Sequence, residues 1–137
     1  MSELYRDSGV VLRTYKLREA DRIIVLHTRD NGKVRAVAKG VRKTKSKFGG
    51  RLEPMSHVKV QLYRGRELDI VTQAESVEPL APMLSSLDRA SQGLAVLEAV
   101  DQLSLEREPN PQLYQMVVGV LRTIASNPSP INVPAFY

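Results

Sequence analysis

The chain has 137 residues, 42% hydrophobic and 26% charged, with no cysteine and a formal net charge of +5. That composition fits one ordinary soluble domain or two small ones, and the lack of cysteine excludes disulfides and thiolate metal sites. No window reaches the ~20 apolar residues of a bilayer-crossing helix, and the stretch Met1-Ser2-Glu3-Leu4-Tyr5-Arg6-Asp7 lacks the apolar core of a secretory signal, so a cytoplasmic protein with no membrane partner is expected.

Short strands come first. Residues 10–17 predict one, and Arg22-Ile23-Ile24-Val25-Leu26-His27-Thr28 a second, rich in β-branched residues. Asp30-Asn31-Gly32 is a tight-turn signal leading into a third strand at 33–39. There Val34, Ala36 and Ala38 alternate with Lys33, Arg35, Val37 and Lys39, so one face is apolar and the other mostly basic. A fourth strand at 58–63 sets Val58, Val60 and Leu62 against Lys59, Gln61 and Tyr63. After Arg64-Gly65-Arg66 a fifth runs over 68–73. Five short strands with a long insert between the third and fourth suit a small closed barrel of the OB type. A small open sheet or an SH3-like barrel gives nearly the same pattern, and periodicity does not separate them.

From Ser76 the texture changes. Pro79 and Pro82 mark a connector, and Ala90, Leu94, Leu97, Val100 and Leu103 predict an apolar stripe on a helix over 88–106. Asn110-Pro111 reads as an N-cap followed by proline at the first helical position. The helix it opens carries Leu113, Val117, Leu121 and Ile124 and stops at Asn127-Pro128. Two antiparallel helices do not cover both stripes by themselves. With Pro134-Ala135-Phe136-Tyr137 starting another apolar segment, the expectation is an incomplete helical domain over 79–137, completed by a longer native chain, behind a barrel over 1–78.

Charge is unevenly placed. Residues 1–72 hold 17 Lys and Arg against 8 Asp and Glu, a balance of +9; residues 73–137 hold 3 against 7, a balance of −4. Between Lys33 and Arg51 there are eight basic residues and no acidic one: Lys33, Arg35, Lys39, Arg42, Lys43, Lys45, Lys47 and Arg51. A one-signed cluster of this density repels itself unless a polyanion neutralises it, which points to nucleic acid. Arg35, Lys39 and Lys59 fall on strand positions directed away from the apolar face, and Tyr15, Phe48 and Tyr63 are candidate stacking platforms for unpaired bases. The plainer reading is a solvated basic surface over core aromatics.

Other chemistry finds little support. Gly40 to Gly50 lacks the G-x-x-x-x-G-K-[ST] order of a phosphate loop. His27 and His57 have no partners at metal-ligand spacing and read as ordinary strand histidines. No G-x-S-x-G elbow frames a serine. The pairs Glu19/Asp21 and Glu67/Asp69 read as charge-balancing groups at turns and strand edges. No constellation supports catalysis, so a non-enzymatic protein is expected.

The stretches Tyr5-Arg6-Asp7-Ser8-Gly9-Val10-Val11-Leu12 and Lys16-Leu17-Arg18-Glu19-Ala20-Asp21-Arg22-Ile23 resemble the N-terminal domain of the RecO family of bacterial DNA repair proteins. So do residues 38–54, from Ala38-Lys39-Gly40 to Leu52-Glu53-Pro54, and the run Leu68-Asp69-Ile70-Val71-Thr72-Gln73-Ala74-Glu75. The resemblance implies an N-terminal OB fold followed by a helical domain. It implies binding of single- and double-stranded DNA and annealing of complementary strands. It also implies action with RecR to load RecA onto DNA coated by single-strand-binding protein. The DNA-binding positions it carries over are Lys39, Arg42, Lys43, Lys45, Lys47 and Arg51, with Arg35 added from the adjoining strand. Many family members are longer and carry a four-cysteine zinc site in the later part; with no cysteine here, no cofactor is assigned to this chain. Two rival readings use the same charges: an RNA-binding OB protein of the translation apparatus, and a basic module docking an acidic protein tail.

Overall fold

The computed structural model describes residues 3–42, 46 and 48–126. Among them five strands, β1 (Leu4–Leu17), β2 (Asp21–Thr28), β3 (Gly32–Ala38), β4 (His57–Tyr63) and β5 (Asp69–Glu78), precede helices α1 (Leu80–Met83), α2 (Leu87–Leu103) and α3 (Pro111–Ser126). The strands close into a barrel in the order β1-β2-β3-β5-β4, which settles the choice among small β architectures in favour of the OB fold. Closure depends on β1. Its first half pairs with β4 and its second half with β2, with a bulge between Val11 and Arg13 where the strand bends from one neighbour to the other. The ring is completed by a short parallel pairing of β3 with β5, at Ala36 with Asp69 and Val37 with Ile70.

Alternation decides which side chains fill the barrel. Val11, Ile24, Leu26, Val34, Ala36, Val58, Val60, Leu62 and Val71 form one interior cluster, and Phe48 and Leu52 enter it from the β3–β4 loop. Phe48 is 1% exposed, so this ring is a core plug and not a stacking platform. The loop is closed by short-range turns, Arg51 N to Phe48 O at 3.1 Å and Ser56 N to Glu53 O at 3.1 Å. Burying a phenylalanine offsets the entropy of ordering these turns.

The helices pack on the outside of the barrel. Val10, Leu12 and Val25 join Leu97, Val100, Leu113, Val117, Val118 and Leu121 in a second cluster, with Met55 between. The stripe of α3 is therefore covered by the barrel, a neighbour the helices' own periodicity does not reveal. On α2 the buried line is Gly93, Leu97 and Val100, while Leu94 and Leu103 of the predicted stripe stay 50% and 63% exposed. Gly93 is on the line because the Met55 sulfur passes so close that a Cβ would lie 2.4 Å from it. Asn110 caps α3 as its sequence suggests, Oδ1 accepting from Leu113 N at 3.1 Å.

Two buried histidines bolt the layers together. His27 Nε2 donates to the Asn110 carbonyl at 3.3 Å, so Nδ1 accepts from the Ser104 hydroxyl at 2.5 Å. His57 takes the other tautomer: Nδ1 faces the Glu78 carboxylate at 3.2 Å and Nε2 accepts from the Tyr114 hydroxyl at 2.6 Å. Burial pushes both imidazoles below their ordinary pKa.

The linker 104–110 runs beside the start of β3, Lys33 N donating to Leu105 O at 3.0 Å and Arg107 N to Lys33 O at 3.1 Å. Gly32 makes room for it. Its φ is +66° and a Cβ would meet the Glu108 carbonyl oxygen at 2.1 Å. Gly32→Ala is expected to cost about 1–2 kcal/mol from the left-handed backbone alone, and more from displacing the linker. Thermal unfolding of the variant checks this; a negligible loss would mean the linker yields freely.

Candidate nucleic-acid interface

The basic run of the sequence is divided by the fold. Lys33 is taken up structurally: its ammonium bonds Asp101 Oδ1 at 2.8 Å and the Asp101 carbonyl at 2.7 Å. Arg13 reaches the other oxygen of the same carboxylate at 3.3 Å. Burial works to raise the Asp101 carboxyl, but these two cations outweigh it and hold the group below its ordinary value. Lys33 is thus a tie between barrel and α2.

Arg35, Lys39 and Arg42 are exposed at the β1–β2–β3 side. The loop start there is pinned to the β1–β2 turn, Gly40 N bonding Asp21 Oδ1 at 2.8 Å and Arg42 N bonding Ala20 O at 2.9 Å. This brings Arg42 onto Arg18, its guanidinium donating to the Arg18 carbonyl at 3.1 Å. Arg18 has a φ of +58° and a side chain 76% exposed, with Asp21 at 4.0 Å. Lys16, at the end of β1, is exposed nearby. Lys16, Lys39 and Arg42 have no carboxylate partner among the described residues. Arg18 and Lys16 were missed by sequence reasoning because they lie far from the basic run in the chain. A signal was there, since both flank the turn that Asp21 ends.

Arg51 is on another side, lining a cavity with Phe48 and residues 72–76 of β5. Lys43, Lys45 and Lys47 lie outside the described residues. Lys59 is exposed on β4, where its cross-strand partners are Ser8 and Glu75, away from Arg35 and Lys39.

The outer surface between these cations is apolar. Register places Tyr15, Ile23 and Val37 in one cross-strand row and Arg13, Val25 and Arg35 in the next. Tyr15 is 42% exposed, with the Arg13 guanidinium 5.2 Å from its ring centre. Tyr63 is equally exposed but stands at the end of β4 opposite Leu4, apart from this row.

A second charged centre was misjudged from sequence. Asp69 is fully buried and receives the Tyr5 hydroxyl, Arg107 Nη2 at 2.5 Å and Gly65 N at 2.9 Å. Burial works to raise its carboxyl, but the Arg107, Tyr5 and Gly65 hydrogen bonds prevail and leave it lowered. The same burial, aided by Asp69, pushes the Tyr5 phenol up to about 12. Asp69 is an anchor between barrel and linker, not a charge-balancing edge group.

No group of His, Cys, Asp or Glu able to hold a metal occurs among the described residues, and no helix among them is long and apolar enough to cross a membrane. Residues 1–80 match the family model described as Recombination protein O N terminal. Residues 84–137 match the model described as Recombination protein O C terminal. An OB barrel with an exposed basic side, followed by helices and matched in order by both models, belongs to the RecO family of DNA recombination and repair proteins.

Proposed function

We propose that the chain binds single- and double-stranded DNA through Arg35, Lys39, Arg42, Lys43, Lys45, Lys47 and Arg51, with Lys16 and Arg18 added by the fold. By neutralising phosphates on two strands at once it lowers their repulsion, so that complementary bases can pair. In the cytoplasm, at the nucleoid, it acts with RecR to assist loading of RecA onto strands covered by single-strand-binding protein. It is a mediator and carries out no chemistry of its own. The observation that carries this reading is the gathering of Lys16, Arg18, Lys39 and Arg42 around one turn, beside an apolar row with an exposed tyrosine. Three of these cations, Lys16, Lys39 and Arg42, have no carboxylate partner among the described residues, and the exposed Arg18 has only Asp21, at 4.0 Å; such a cluster binds a polyanion by releasing that polyanion's counter-ions.

The expected result is salt-sensitive binding of a labelled oligonucleotide in fluorescence anisotropy. Six neutralised phosphates on a single strand give a log–log slope of about −4. Changing Arg42, Lys43, Lys45 and Lys47 together to Ala removes four of the nine proposed cations and makes the slope shallower by at most about 3. Binding that ignores salt, or an affinity and slope unchanged by the four substitutions, would remove the electrostatic mechanism. Preference for a matched RNA would move the function to RNA binding. Tight binding of an acidic peptide with none of DNA would make the loop a protein-docking module.

A further inference from the structure

We propose that the cleft between the outer face of β1–β3 and the α2–α3 linker receives one unstacked nucleobase of a single DNA strand, packed on the Tyr15 ring, with Arg35 at the adjoining phosphate. This rests on the DNA-binding reading above and adds a base subsite to its phosphate contacts.

The cleft has a volume of about 420 Å³, and its lining includes Tyr15, Val25, Lys33, Arg35, Leu105 and Glu106. That is within the roughly 300–1,000 Å³ range of small-ligand sites. Its walls suit a flat, mostly apolar body with a charged edge. Tyr15 supplies an exposed aromatic surface, Val25 a buried apolar one, and Leu105 of the linker stands 58% exposed across from them. An exposed tyrosine and an exposed leucine facing one cleft leave apolar surface in water, which an inserted base would cover. The Arg13 guanidinium lies over one face of the tyrosine ring at 5.2 Å and is itself held by Asp101, so that face is taken, the ring is braced before any strand arrives, and a base packs on the opposite face. Bracing lowers the entropy lost on stacking.

Charge in the cleft is balanced, Lys33 and Arg35 against Asp101 and Glu106, and what a phosphate can engage is the cation whose partner holds it least. Asp101, the carboxylate nearest Lys33 and Arg13, is paired by both. Among the described residues Arg35 meets only Glu106, at 3.4 Å, and both side chains are about half exposed. A surface pair of that kind contributes little, so a phosphate can take over the guanidinium. Stacking on a ring face is sequence-tolerant, which fits a protein that handles any strand.

The test compares two labelled oligonucleotides of equal length, one with bases and one abasic, so that their phosphates match. The wild-type chain and the variants Tyr15→Ala and Tyr15→Trp are titrated by anisotropy at several salt concentrations. Tyr15→Ala should weaken binding of the normal strand about fivefold to 150-fold, the range of one lost base stack. It should leave the abasic strand and both salt slopes unchanged, and Tyr15→Trp should restore the preference for bases. A ratio of normal to abasic affinity that is the same in wild type and Tyr15→Ala overturns the base subsite while leaving phosphate binding intact. Equal loss on both strands also overturns it, since a general structural defect then explains the variant. Absence of salt-dependent binding by the wild type to either strand overturns the DNA-binding reading and the subsite with it.

Discussion

Replacing Phe48 by Ala is expected to lower folding stability by about 3–5 kcal/mol, the cost of emptying a large aromatic site in a packed core. Phe48 is among the largest fully buried side chains, and it enters the barrel between strands from a loop whose adjoining residues, Lys45 to Gly50, are otherwise Lys, Ser and Gly. Neighbouring Ala36 and Ala38 are short and sit on paired strands, so the barrel has little freedom to collapse into the void. Urea unfolding followed by far-UV circular dichroism should show a lower midpoint with a slope close to wild type. The loss has a functional side as well. Gly49 and Gly50 follow the plug directly and Lys47 precedes it, so Phe48 ties the basic loop to the barrel. Phe48→Leu should cost less than Phe48→Ala and keep that tie. A loss below ~1 kcal/mol for the Ala variant would show that the ring does not hold the loop down.

Asp69→Asn is expected to cost about 2–3 kcal/mol near neutral pH. Removing one partner of a fully buried ion pair costs about 3–5 kcal/mol. The figure is lowered here because Arg107 is 35% exposed and water screens part of the interaction. Asparagine keeps the shape but replaces one acceptor oxygen with a donor, set against Arg107 and the Gly65 amide at the Oδ1 position or against the Tyr5 hydroxyl at Oδ2. The pH dependence has a definite sign. The folded-state pKa of Asp69 is depressed below its ordinary value, so the carboxylate's contribution is present above the unfolded pKa of about 3.9 and is lost as pH falls through the folded value. Wild type and Asp69→Asn should therefore differ most near neutrality and converge in acid. Asp101 and Glu78 are also depressed, but they titrate in both proteins and cancel in the difference. A gap that stays constant between pH 7 and pH 3 would mean Asp69 acts by shape alone.

Much of the barrel was legible because its signals are local. In β3, Val34, Ala36 and Ala38 alternate with longer polar chains, and the Asp30-Asn31-Gly32 turn announces the strand. Asn110-Pro111 announced α3 in the same way. Phe48 was misread because nothing beside it is apolar; its burial depends on the five strands that surround it. Asp69 was misread because a carboxylate near a turn normally faces water, and the partners that bury it, Tyr5 and Arg107, are distant in sequence. On α2 the stripe was drawn too wide, since the pattern counts every leucine while packing admits only the line that meets Met55 and α3.

The β-then-α order, the basic run and the likeness to a recombination family are legible along the chain, because strand alternation, helical period and charge density are properties of neighbouring residues. Tertiary structure alone decided which cations share a surface. Lys33 was drawn into an ion pair with Asp101, Arg51 went to the β5 side, and Lys16 and Arg18 joined Lys39 and Arg42 at the β1–β2 turn. Antiparallel pairing of β1, β2 and β3 puts the β1–β2 turn beside the end of β3, and the packing of α2 on the barrel brings Asp101 to Lys33, so residues far apart in the chain lie a few ångströms apart in space, where charge is felt by distance and not by sequence.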